Sequence, residues 1–129
     1  MRLLLDTHLL LWTAYDSRRL SPRAAKLIGD ESNDLLFSAI SIAEISIKHG
    51  RGRTDFTVHP SATRKLLLEH GYEELALTGL HAEAVGGLPP IHKDPFDRML
   101  VAQAEIEGAT LLTADAAVAQ YGEPVRLVG

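Results

Sequence analysis

Short, continuously apolar runs alternate along the chain with stretches whose apolar positions recur at helical spacing. Arg2–Asp6 (RLLLD), Asp34–Ala39 and Thr110–Thr113 (TLLT) are the clearest runs. They lack the apolar–polar alternation of a half-exposed strand, so they read as parallel strands buried on both faces. Glu74–Leu77 and Val125–Val128 are weaker runs that bring the expected sheet to four or five strands. Between the runs the spacing predicts helices over His8–Tyr15, Ser21 to Asp30, Ser41–His49, Pro60–His70, Leu80–Val85, Pro95–Glu107 and Ala116–Gln120. Ser21-Pro22 supplies a cap followed by proline at the first helical position, and Gly50, Gly71 and Gly108 stop the helices before them. Arg51–His59 is a polar connection, and Gly86–Lys93 (GGLPPIHK) is a loop by its Gly and Pro content. Strands separated by helices predict right-handed crossovers and an α/β fold with a mainly parallel sheet covered on both faces. In such a sheet a site lies outside the carboxyl ends of the strands, where the strand order reverses.

The length of 129 residues fits a single domain spanning 1–129, with enough chain to bury a core. The absence of cysteine excludes disulfides, thiolate metal sites and cysteine nucleophiles, and it fits a reducing cytoplasm. No apolar stretch approaches the roughly 20 residues that span a bilayer, and Met1–Asp6 is too short for a signal peptide. The expectation is a soluble cytoplasmic protein. The net charge of −4 argues against a nucleic-acid partner only if the acids are scattered. If several gather around divalent cations, the site becomes an anion receptor.

Four acids stand at strand–helix junctions. Asp6 ends the first strand, Glu44 is expected in the first turn of the helix after the second, and Asp115 follows the fourth by two residues. Asp97 lies in the first turn of the helix that follows the GGLPPIHK loop. The first three should share one edge of the sheet, and Asp97 joins them if its helix begins there. Carboxylates gathered in this way repel one another unless cations bind between them. Hard oxygen ligands suit Mg²⁺ or Mn²⁺.

Taken singly, each acid also has a plain structural role. Asp6 and Asp115 are good helix caps. Ser41-Ile-Ala-Glu44 has the form of a capping box, and Asp94-Pro95-Phe96-Asp97 reads as a cap with proline at N1 and an acid at N3. Asp94 is the better cap of that pair, and Asp97 the better metal ligand. Capping does not require the four acids to meet, whereas a metal site does.

These residues resemble the PIN-domain nucleases, and among them the VapC-like toxins. The resemblance runs from Leu3-Leu4-Leu5-Asp6-Thr7-His8 through Phe37 to Lys48 (FSAISIAEISIK), is clearest at His92 to Ala104 (HKDPFDRMLVAQA), and ends at Leu112-Thr113-Ala114-Asp115. It implies a three-layer α/β/α sandwich, a Mg²⁺ or Mn²⁺ site, and hydrolysis of RNA phosphodiesters. Asp6, Glu44, Asp97 and Asp115 each match an acidic position of the family, which makes them the expected catalytic and metal-binding residues. Many relatives carry a further acid or Asn beyond the last of these, where this chain has Ala116-Ala117-Val118. The family also implies a homodimer or a hetero-oligomer with a small antitoxin, and a toxin–antitoxin role.

Other residues have secondary readings. Thr7, Ser41 and Thr113 flank the acids and either hold carboxylates and water in place or cap helices. Lys48, Arg51 and Arg53 form a basic run that contacts RNA phosphates or lies in a solvated loop. Arg98 either holds a substrate phosphate or pairs with a carboxylate. The six histidines show no H-x-x-x-H spacing and read as surface or core residues. Trp12 reads as a core or dimer contact. The competing function is a non-catalytic doubly wound module, receiver-like or ligand-binding. A receiver needs an acid after its third strand, where this chain has Thr78-Gly79, and no glycine-rich phosphate loop follows the first strand.

Overall fold

The computed structural model describes residues 1–50 and 58–129. Its strands are β1 (Arg2–Leu5), β2 (Asp34–Ser38), β3 (Glu73–Leu75), β4 (Thr110–Thr113) and β5 (Val125–Leu127). Its helices are α1 (Thr7–Tyr15), α2 (Pro22–Gly29), α3 (Ala39–Gly50), α4 (Pro60–Glu69), α5 (Gly79–Val85), α6 (Pro95–Glu107) and α7 (Ala116–Ala119). A 3-10 turn at Ser17–Arg19 joins α1 to α2. No helix among the described residues is long and apolar enough to cross a membrane.

All strand pairings are parallel, in the order β3-β2-β1-β4-β5. The central strands are buried on both faces, and successive side chains serve different cores. Leu4, Leu36 and Leu111 pack with Leu100, Val101 and Ala104 of α6 and with Val118 of α7. Leu3, Leu5, Phe37 and Leu112 pack on the other face with Leu9 and Leu10 of α1, Ala24 of α2 and Leu67 of α4. The result is a three-layer α/β/α sandwich. The order 3-2-1-4-5 differs from the 2-1-3-4-5 order of receiver-like folds, which removes the receiver-like alternative.

The local signals explain most boundaries. Ser21 accepts the Ala24 N–H ahead of Pro22, and Gly108 closes α6 in the left-handed conformation at φ 64°. Two expectations need correction. β3 occupies Glu73–Leu75 rather than Glu74–Leu77, because its partner β2 turns into α3 after the Ser38–Leu75 pair. α3 begins at Ala39, so Ser41 is inside the helix and the Ser41–Glu44 capping box does not form. Ser38 at the strand end takes the capping bond instead, accepting the Ile40 N–H at 3.0 Å.

The order reverses between β1 and β4: the chain passes from β1 outward to β2 and β3, then returns on the far side of β1. The crevice beyond the carboxyl ends of β1 and β4 is therefore the topological switch point. Ser38 at the end of β2 bonds Gln103 of α6 at 2.5 Å, and Gln103 also donates to the Ala76 carbonyl. These buried bonds tie α6 to the same edge of the sheet.

Candidate active site

Asp6 follows β1 and is held by both strands at the switch point. Its N–H donates to the Leu112 carbonyl at 3.1 Å, extending the ladder one residue past the strand. Its Oδ1 caps α1 by accepting the Leu9 N–H, and its Oδ2 accepts the Thr113 hydroxyl at 2.5 Å. The residue is only 4% exposed. Burial pushes its carboxyl above the ordinary range; the bonds from Thr113 and Leu9 oppose that shift, and nearby Asp115 adds to it.

Asp97 reaches the same place from α6. Asp94 caps that helix, its Oδ1 accepting the N–H groups of Phe96 (2.8 Å) and Asp97 (3.2 Å). Asp97 projects one turn further along. Its carboxyl is pushed up to about 6, first by burial and then by the charges of Asp94, Asp6 and Glu44, with His92 opposing. Two carboxylates from other elements, and the cap of its own helix, thus bear on Asp97. Asp115 is exposed at the start of α7, which it caps by accepting the Ala117 N–H. One ligand atom each from Asp115, Asp97 and His92 lie within 4.8 Å of one another.

Glu44 stands in the second turn of α3, not the first, as the early start of the helix requires. It is 4% exposed, and its Oε2 accepts from Lys48 at 2.7 Å. The structure therefore places Asp6, Glu44, Asp97 and Asp115 around one edge of the sheet; among the described residues the group of three at ligand spacing is His92, Asp97 and Asp115, with Asp6 and Glu44 near enough to act on Asp97 by charge. Asp6 and Asp115 cap helices as well, so the two readings of those residues coexist.

The secondary residues separate clearly. The Thr113 hydroxyl donates to Asp6 and accepts the Asp115 N–H at 3.0 Å, linking two of the acids. The hydroxyls of Thr7 and Ser41 bond each other at 2.9 Å, fixing the start of α3 against α1. Lys48 is engaged by Glu44, and Arg51 and Arg53 lie outside the described residues.

Among the described residues Arg98 pairs with no carboxylate and is engaged by loop carbonyls and a tyrosine instead. Its guanidinium donates to the carbonyls of Val85 and Pro89 and to the Tyr121 hydroxyl, each at 3.0 Å. It braces the 86–94 loop. A loop of prolines and glycines offers many unpaired carbonyls, and a planar fork of five donors satisfies several together.

His92, at the end of that loop, was missed. Its Nε2 lies 3.0 Å from Asp97 Oδ2. A search for histidine pairs could not find it, because the partner is an acid five residues later across a helix start. Trp12 is half-buried against the α1-side core, with Arg19 of the 3-10 turn 4.8 Å above its ring. Two clefts flank the acids, and both are lined by His8, Trp12 and Arg19. One, of about 320 Å³, includes Glu44 and Lys48; the other, of about 290 Å³, includes Asp6 and Asp115.

The arrangement suits divalent cations. Burial and neighbouring acids raise the proton affinity of Asp6 and Asp97, and hard oxygen donors gathered in this way are the kind that accommodate a divalent cation. Comparison with known proteins agrees with this reading of the fold. No curated protein matches the sequence. Among solved structures, the chain resembles VapBC2 from Rickettsia felis bound to a promoter DNA fragment, at 16% identity and TM-score 0.69, covering 98% of this chain and 97% of that one. It also resembles VapC20 of Mycobacterium tuberculosis, a Sarcin–Ricin loop cleaving toxin, at 18% identity and TM-score 0.62, covering 93% and 95%. FitAcB from Neisseria gonorrhoeae matches at 19% identity and TM-score 0.63, covering 98% and 96%. The PIN-domain family model matches residues 3–124. The chain belongs to the PIN-domain family, the nuclease family that its motifs resemble.

Proposed function

We propose that the protein is a metal-dependent endoribonuclease, hydrolysing RNA phosphodiester bonds, and the toxin of a toxin–antitoxin pair. The observation that carries this reading is the approach of Asp6 and Glu44, from two other elements, to Asp97, with ligand atoms of Asp115 and His92 within 4.8 Å of its own. Caps alone give no reason for such convergence.

Asp6, Asp97, Glu44 and Asp115 would hold Mg²⁺ or Mn²⁺. Bound there, a divalent cation supplies Lewis acidity, activating water and stabilising charge on the phosphoryl group. Asp6 has both carboxylate oxygens held, one by the Leu9 N–H and one by the Thr113 hydroxyl, so it would present a fixed oxygen to the cation. Glu44 must exchange its bond to Lys48 for a cation or share the carboxylate between them. Asp115, on the exposed rim, is the acid that incoming substrate meets first. Arg19 offers positive charge, and the neighbouring exposed His8 a ring nitrogen, to the phosphates that flank the scissile bond.

The toxin role rests on the likeness to VapC20 and to the VapBC and FitAcB complexes. With it go a small cognate antitoxin and a homodimer or hetero-oligomer. Exposed apolar side chains such as Ile47, Leu77 and Leu80 are suited to such contacts. The test has two arms. Purified protein is expected to cleave RNA with Mg²⁺ or Mn²⁺ and to stop in excess EDTA; cleavage that survives EDTA contradicts the metal mechanism. Expression alone is expected to arrest bacterial growth, and co-expression of an adjacent small protein to restore it. Harmless high-level expression contradicts the toxin role and leaves the nuclease.

A further inference from the structure

We propose that His92 is a nitrogen ligand of the metal centre and biases it toward first-row transition ions over Mg²⁺. The inference rests on the metal site proposed above and adds a donor that is not a carboxylate.

The geometry comes close to that of a ligand set. Two donors about 2.1 Å from one ion lie about 3.0 Å apart when adjacent in an octahedron, and about 4.2 Å apart when opposite. His92 Nε2 and Asp97 Oδ2 are 3.0 Å apart, and one donor atom each from His92, Asp97 and Asp115 fall within 4.8 Å. The His92–Asp97 pair already has the spacing of adjacent donors, and the exposed Asp115 side chain closes the set by a rotation toward them.

The second observation is that the main chain at His92 is held in place. Its backbone N–H donates to the Tyr121 hydroxyl at 3.1 Å, and that hydroxyl accepts from Arg98 at 3.0 Å. Arg98 also fixes the Val85 and Pro89 carbonyls of the same loop. Arg98 and Asp97 are neighbours on α6. The brace therefore fixes His92 relative to the very helix that carries its carboxylate partner. Bracing of this kind preorganises a ligand, which a solvated surface histidine does not need.

The chemical consequence is selectivity. Mg²⁺ favours oxygen donors, whereas imidazole favours the ions later in the first transition row. A mixed nitrogen–oxygen site should bind Co²⁺ and Mn²⁺ ahead of Mg²⁺ by more than carboxylates alone provide.

The experiment is electron–nuclear double resonance on the full chain loaded with Mn²⁺, with calorimetric titrations of Mg²⁺, Mn²⁺ and Co²⁺. The wild-type protein is expected to show ¹⁴N coupling to the bound Mn²⁺, and His92→Gln to lose it. That variant should also lose roughly tenfold or more in Co²⁺ affinity while Mg²⁺ affinity changes little. Tyr121→Phe, which removes only the hydroxyl, should keep the ¹⁴N signal and weaken Mn²⁺ binding severalfold. Bound Mn²⁺ without ¹⁴N coupling overturns the inference and leaves the carboxylate site intact. Coupling that persists in His92→Gln overturns it too, and points to His8 beside Asp6. Failure of the wild-type protein to bind any of the three ions, or binding unaffected by Asp97→Asn, overturns the metal centre itself and this inference with it.

Discussion

Thr113 donates its hydroxyl hydrogen to Oδ2 of Asp6, joining the ends of β4 and β1 across the switch point. The same oxygen accepts the Asp115 N–H, so one small side chain sets the spacing of two acids. Thr113→Val preserves shape and deletes both bonds. Among the described residues the buried Asp6 carboxylate then keeps only the Leu9 N–H as a donor. A charge-assisted bond of this kind contributes about 1.5–3 kcal/mol, so urea denaturation of the metal-free variant should show a loss of that order. An unchanged midpoint would mean that Asp6 is not dependent on Thr113.

Asp97 gives a pH dependence with a definite sign. Its carboxyl has an ordinary value of 3.8 and is pushed up to about 6 in the folded protein. Between those values the folded chain holds a proton that the unfolded chain releases. Stability from the neutral form is therefore complete below about 3.8 and lost as pH rises through about 6. Asp6, also raised, acts in the same direction. Thermal melts in EDTA should fall as pH rises from about 4 to just above about 6, and Asp97→Asn should flatten that fall. At pH 7 the Asn variant should be at least as stable as the parent. Parallel profiles for the two proteins would contradict the crowding of charge at this position.

Arg98 is expected to act on the loop, not on substrate. Arg98→Lys keeps the charge but loses the planar fork that reaches Val85, Pro89 and Tyr121 together. Amide exchange of residues 86–92 should accelerate, and stability should fall by about 1–3 kcal/mol. If the variant keeps its stability and its exchange rates while the KM for RNA rises, the side chain is a phosphate contact after all.

The sequence and the structure agree best where local chemistry decides the outcome. α6 runs from Pro95 to Glu107 as its cap, proline and closing glycine require, and Asp94 caps it. The continuously apolar strands and the switch-point rule foretell where Asp6 and Asp115 emerge. They diverge where a tertiary partner competes with a local motif. Ser41 has the spacing of a capping box, but Ser38 stands nearer the strand end and takes the helix start, leaving Ser41 to bond Thr7. Glu44 then moves a turn inward and pairs with Lys48. Arg98 and His92 were illegible for a different reason. Their partners are loop carbonyls, a tyrosine 23 residues away and an acid across a helix start, and no periodicity encodes these.

The central claim is that the gathered acids hold catalytic cations rather than only cap helices. RNA cleavage by Asp6→Asn, Asp97→Asn and Asp94→Asn, measured with Mg²⁺ and with Mn²⁺ alongside thermal melts, tests it directly. Asn caps a helix as well as Asp, so a capping role alone predicts three near-native variants. The metal role predicts that Asp6→Asn and Asp97→Asn stay folded yet lose cleavage by orders of magnitude, each tenfold reflecting about 1.4 kcal/mol of lost transition-state stabilisation. Asp94→Asn should remain close to the parent. Cleavage near the parent rate by folded Asp6→Asn and Asp97→Asn would contradict the account.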